Sequence, residues 1–228
     1  MKLNAMNTKK YGPWLVALMI IAPFIYGALI FPQLPSKIPT HFNIEGKADA
    51  WGGPSSIFLG PGIMGAVSIF VYVLLSNLKK FDPKKYDEAN DTLYKDFAVL
   101  TVVFLSILSL IIIYSSTHAD EINVGQLILP LVGLSFAGLG WYMPKFKQNY
   151  FVGFKLPWTL ENVDNWNETH KVAGKIWIYG GLFQVVVTFL LPMKFGFIGF
   201  ILATAVMVII PSVFSYRMFR NGNQIKNI

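Results

Sequence analysis

Three histidines, twelve carboxylates and no cysteine set the limits of the chemistry this chain could do. Without cysteine there is no thiolate catalysis, no Cys-ligated zinc and no thiol redox role. His41, Glu45 and Asp49 recur every four residues, and on a helix they would form one metal-ligating face. Pro35, Pro39 and Gly46 oppose that helix. Glu45-Gly46-Lys47 instead reads as a turn between Thr40–Ile44 and Ala48–Trp51, so a short hairpin with a hydrogen-bonded His41 is expected. His170, beside Glu168 and Thr169, is the other candidate for acid–base work. No nucleophile or metal motif accompanies it, so no catalytic residue, metal or cofactor is expected.

The segments that must position these residues are unusual. Charged residues make up 14% of the 228-residue chain and apolar ones 54%, where a soluble domain carries about 25% charge. With a mean hydropathy of +0.50, a water-facing surface cannot be built from this pool. Soluble enzymes, disordered chains and disulfide-rich secreted proteins are excluded. Apolar stretches lie near 12–31, 57–78, 96–117, 124–143, 173–191 and 196–217. Each has roughly the 20 residues with which a helix crosses about 30 Å of hydrocarbon. The expected fold is an all-α polytopic membrane protein with six transmembrane helices. The first run is too long for a signal-peptide core and ends in Phe31-Pro32-Gln33-Leu34-Pro35 without a cleavage site, so it is expected to remain as an anchor.

Six spans put both termini on one side. Sixteen of the nineteen basic residues then share that side, among them Lys2, Lys84, Lys85, Lys145, Lys175 and Arg217, leaving Lys37, Lys47 and Lys194 opposite. The positive-inside rule makes the crowded side the cytoplasm. The net charge of +7 is thus a topology signal and a contact with the lipid bilayer, and direct nucleic-acid binding is not expected. No ionisable residue lies near the middle of a span, which argues against ion-coupled transport and intramembrane proteolysis. Pro23, Pro130 and Pro211 predict kinks. Gln184 predicts an interhelical hydrogen bond, and Gly133 with Ala137, like Gly196 with Gly199, predicts close helix approach.

Function is therefore expected in two long loops, the outer loop 32–56 and the inner loop 144–172. They divide the chain into 1–95 (two spans, outer loop, connector) and 96–228 (four spans, inner loop). Trp51 fits an interfacial anchor. In the inner loop, Thr159 stands where a helix N-cap is expected, with Glu161 in the first turn. Val163, Trp166, His170, Ala173 and Trp177 follow helical spacing as an apolar-aromatic face. Glu161, Asp164 and Glu168 form an acidic stripe opposite, either solvated or a docking face for a basic partner.

At this point the motifs carry a resemblance. Asn149-x3-Gly153, Pro157-Trp158-Thr159-Leu160 and Trp166-x2-Thr169-His170-x3-Gly174 resemble the signature of the SdpI family of bacterial membrane immunity proteins. Leu34-Pro35-x2-Ile38-Pro39-Thr40-His41-Phe42-Asn43-x2-Gly46-x2-Asp49 resembles the amino-terminal domain often found ahead of it. The chain departs at Lys155-Leu156, where the family more usually has Arg-Thr, and at Gly53-Pro54 after Trp51, where Ser-Lys is more typical. A lysine loses the bidentate donor that arginine offers. The resemblance implies a multi-pass protein of the bacterial cell membrane that gives resistance to a secreted toxic peptide of the SdpC type. It implies a toxin-facing set of Pro39, His41, Phe42, Asn43, Gly46, Asp49 and Trp51. It also implies an inner set of Asn149, Gly153, Lys155, Pro157, Trp158, Thr159, Trp166, Thr169, His170 and Gly174, and a cytosolic transcriptional repressor as inner partner. The alternative from another class is a small-molecule or lipid transporter built on an inverted three-plus-three helix repeat. Oligomeric state is not legible.

Overall fold

The computed structural model describes residues 8–81, 91–119 and 121–226, with side chains over 13–81, 91–119 and 121–221. Lys2, Lys84 and Lys85 lie outside the described residues. The elements are α1 (Thr8–Ile30), β1 (Ile38–Phe42), β2 (Ala48–Gly52), α2 (Leu59–Ser76), α3 (Leu78–Phe81), α4 (Asp91–Thr117), α5 (Val124–Tyr142), α6 (Pro157–Glu161), α7 (Val163–Leu190) and α8 (Met193–Lys226). Six of these helices are long and apolar enough to cross a membrane: α1, α2, α4, α5, α7 and α8. The fifth starts at Val163 rather than near 173, because the helical spacing of Trp166, His170 and Ala173 carries it into the loop.

The chain packs as two compact units. Residues 1–77 and 94–128 form the first, and 78–93 with 129–228 the second. The third spanning helix thus groups with the first two, whereas division at the loops sets it with the last three.

Inside the first unit, Pro23 lies within α1 and cannot donate to the carbonyl of Met19 one turn back. Ser106 of α4 replaces that donor, its hydroxyl reaching Met19 O at 2.6 Å. The second unit repeats the device. Pro211 lies within α8, and Trp177 Nε1–H of α7 donates to Met207 O at 2.9 Å. In lipid an unmatched carbonyl costs several kcal/mol, so these two side chains allow prolines mid-span.

Helices α5 and α7 meet backbone to backbone. A Cβ on Gly140 would lie 2.6 Å from both Gly174 O and Ile178 N, and one on Gly133 2.9 Å from Gly181 O. One on Gly181 would meet Gly133 O and Ala137 N. Small residues make such approach the usual route to helix association in membranes. Gln184 Nε2 donates to Phe200 O at 3.0 Å and Thr204 Oγ1 at 2.7 Å, the expected interhelical bond between α7 and α8.

Candidate functional site

The first loop folds as the expected hairpin, with β1 beginning at Ile38 rather than Thr40. The turn needs a left-handed residue, and Gly46 supplies it at φ +75°. Asn43 Oδ1 closes the turn by accepting from the backbone N–H groups of Glu45 and Lys47 at 2.9 and 3.1 Å. The base is buried in the helices of the first unit, where Ile38, Ile57 and Ile113 form a core with Tyr26, Ile30, Leu34 and Phe58 around it. The tip is fastened by Asn123, whose Nδ2 donates to Glu45 O at 2.7 Å. Its Oδ1 accepts from Gly125 N–H at 3.1 Å, capping α5, and a Cβ on Gly46 would strike the Asn123 side chain.

This hairpin rules out the helical metal face. His41 Nδ1–H donates to Asp49 Oδ1 across the strands at 2.5 Å, while Glu45 Oε2 pairs with Lys47 Nζ at 3.5 Å. No group of three or more His, Asp or Glu side chains suited to a metal occurs among the described residues. Of the outer set, Pro39 and Gly46 are buried, Phe42 and Asn43 half-buried, and His41, Asp49 and Trp51 exposed, Trp51 at 52%.

The second loop is a buried knot rather than an open face. Asn149 Oδ1 accepts from Phe151 and Val152 N–H, both at 2.8 Å, and its Nδ2 donates to Lys147 O at 2.8 Å. That turn brings Gly153, at φ +116°, against the ring of His170, where any side chain would collide with Nε2. Phe154 N–H then donates to His170 Nε2 at 2.9 Å, and His170 Nδ1–H donates to Trp166 O at 2.7 Å. With Nε2 accepting, the ring is the neutral Nδ1–H tautomer. It stacks on Trp166 at 4.0 Å between centroids, and Trp166 Nε1–H donates to Phe146 O at 2.8 Å.

Three expectations need correction here. Thr159 is not an N-cap. It sits in the first turn of α6, where its Oγ1 accepts from Leu156 N–H at 2.9 Å and donates to Phe154 O at 2.6 Å. The cap of the long helix is Asn162, whose Oδ1 accepts from Asn165 N–H at 2.9 Å. The acidic residue in that helix's first turn is Asp164, not Glu161, which ends α6. Val163, the first residue of α7, leaves the aromatic face and is 56% exposed.

Sequence reasoning missed Asn165 and Ser215. Trp158 Nε1–H donates to Ser215 Oγ at 2.7 Å, and Ser215 Oγ–H donates to Asn165 Oδ1 at 2.6 Å. Asn165 Nδ2 donates to Ser215 O at 3.0 Å, and Thr169 Oγ1–H to Asn165 Oδ1 at 3.0 Å. Trp158 also stacks on Phe219 at 5.8 Å, so the network ties α6 and α7 to α8. Asn149, Thr159, Trp166, Thr169, His170 and Gly174 are all buried. Lys155 and Pro157 are exposed, and Lys155 Nζ donates back to Phe151 O at 3.3 Å.

Six apolar spanning helices, a hairpin rooted in one unit and a polar knot locked inside the other define a multi-pass membrane protein. The knot lies within the segment matched by a known family. Residues 145–215 match the SdpI/YfhL protein family and residues 18–65 a domain of unknown function, DUF1648. Over the first of these segments the chain is similar to the SdpI/YfhL family. It is 22% identical over 207 residues to the immunity protein SdpI of Bacillus subtilis (strain 168), covering 90% of this chain and 95% of that one. No solved structure matches it.

Proposed function

We propose that this chain is an integral membrane immunity protein that protects its cell from a secreted toxic peptide of the SdpC type. In this reading the termini and the second loop lie in the cytoplasm and the first loop meets the toxin outside. The observation that carries it is the anchored hairpin: an ordered element whose base is core and whose His41, Asp49 and Trp51 remain exposed. Likeness to the SdpI immunity protein along 90% of the chain supports the same reading. The knot is structural, and His170 has no catalytic part in it.

A signalling role, in which a cytosolic transcriptional repressor is held at the membrane, would use what the knot leaves exposed. Those residues are Lys155, Glu161, Asn162, Asp164, Asn167 and Lys171. Toxin contact must favour one of two bundle states for such coupling to operate.

The test is survival of a sensitive Gram-positive strain exposed to SDP-type toxin while expressing the chain or its His41→Ala/Trp51→Ala variant. Protection by the parent and its loss in an equally expressed variant is the expected result. A well-expressed parent that fails to protect overturns the reading. One observation favours a second reading, since each compact unit carries three of the six long helices, as a three-plus-three transporter repeat would. Solute flux in proteoliposomes separates the two.

A further inference from the structure

We propose that the open edge of β2 is the docking site for an extended segment of the toxic peptide, which adds to the hairpin as a third strand. The inference rests on the immunity reading and supplies its mode of contact. The two strands have unequal surroundings. In β1, Ile38 and Pro39 are buried, Ile38 at 1% exposure in the core with Ile57 and Ile113. Pro39 has no N–H to offer a further strand. In β2, Asp49, Ala50 and Trp51 are all exposed, and β1 is the only strand paired with it among the described residues.

The outer edge of β2 therefore carries backbone donors and acceptors without a ladder partner. An edge of that kind recognises one chemistry above others, an extended polypeptide backbone. Charge narrows the occupant further. The Asp49 carboxylate accepts from His41 and the Glu45 carboxylate pairs with Lys47, and Lys37 and Lys47 match Glu45 and Asp49 in number, so the loop carries no formal net charge. Trp51 exposes an apolar side chain on β2 itself, and Ile44 exposes one between β1 and the turn. The complementary occupant is an uncharged, apolar-rich strand rather than a highly charged one. Preorganisation favours it too, because the tip is already fixed through the bond from Asn123 to Glu45 O and the base through Ile38. Little ordering of the hairpin remains to oppose binding.

The chain's lack of cysteine makes the test direct. Ala50→Cys on β2 and Thr40→Cys on β1 each place a single thiol in the full-length protein in cell membranes. The probes are synthetic SDP-type toxin peptides, each with one cysteine activated as a mixed disulfide whose small thiol leaves on exchange, moved along the peptide one position at a time. Residues opposite one another in paired strands are close enough to form a disulfide. The expected result is efficient trapping by Ala50→Cys at alternate peptide positions, the period of a strand, with several-fold weaker trapping by Thr40→Cys. Survival is measured on the same strains. Protection without trapping at Ala50→Cys, or trapping with no alternation, overturns the edge inference and leaves the immunity reading standing. A well-expressed parent that gives no protection overturns both.

Discussion

Replacing His170 with Phe separates a structural imidazole from a chemical one. The ring is 1% exposed and stacked on Trp166, and phenylalanine keeps most of that contact and volume, so the cavity term is small. What goes is hydrogen bonding. Phe154 N–H loses its acceptor at Nε2, and leaving a sequestered donor unmatched costs about 1–3 kcal/mol. The bond from Nδ1–H to Trp166 O adds less, about 0.5–1.5 kcal/mol, because that carbonyl belongs to a helix. The sum is about 2–4 kcal/mol. For a chain of this size each kcal/mol moves the midpoint by about 2–4 °C, so the variant should melt about 4–16 °C below the parent. Tryptophan fluorescence during heating in detergent reads this, since Trp166 lies against the substituted ring. A variant melting within a degree of the parent while losing protection in cells refutes the reasoning, because the imidazole would then serve chemistry rather than the knot.

Three further outcomes follow from the same geometry. Gly140→Ala should lower the melting midpoint, because its Cβ would meet Gly174 O and Ile178 N at 2.6 Å and overpacking costs about 1–3 kcal/mol. Gly138→Ala on the same helix, with nothing within 4 Å of its Cβ, should leave it unchanged or raise it, and equal losses would dismiss the α5–α7 contact. Ser106→Ala should cost about 1 kcal/mol in the parent and less in Pro23→Ala, where the helix regains its own donor to Met19 O. A double-mutant cycle without coupling refutes the pairing of these two residues. Ser215→Ala should destabilise by about 1–3 kcal/mol, since Trp158 Nε1–H loses its acceptor and Asn165 Oδ1 keeps only the donor from Thr169; thermal melting of the two proteins decides it.

The spans were legible because lipid imposes length and hydropathy on every crossing helix. The hairpin was legible because Gly46 and the prolines forbid a helix locally. The interior of the knot was not, and the reason is physical. In a soluble protein an apolar face marks the inside, but in a bilayer the lipid-facing and buried faces are both apolar, so periodicity identifies a helix without orienting it. Leu202 and Met207 in α8 look alike in sequence, yet the first is 63% exposed and the second 1%. Orientation is written instead in the few polar groups that must find partners. Gln184 was read correctly on that ground. Asn165 and Ser215 carried the same signal, an amide near a helix start and a hydroxyl late in the last span, but neither has meaning until the other is brought within 2.6 Å. Asn123 was the more readable omission, since an asparagine just before an apolar run is a helix-cap signal. Its grip on the hairpin depends on residue 45, far away in the chain. Position in sequence therefore marks the loops, while the tasks of signature residues such as Trp158 and Gly174 are set by partners on other helices. Asn149, Trp166 and His170 serve to shape the knot.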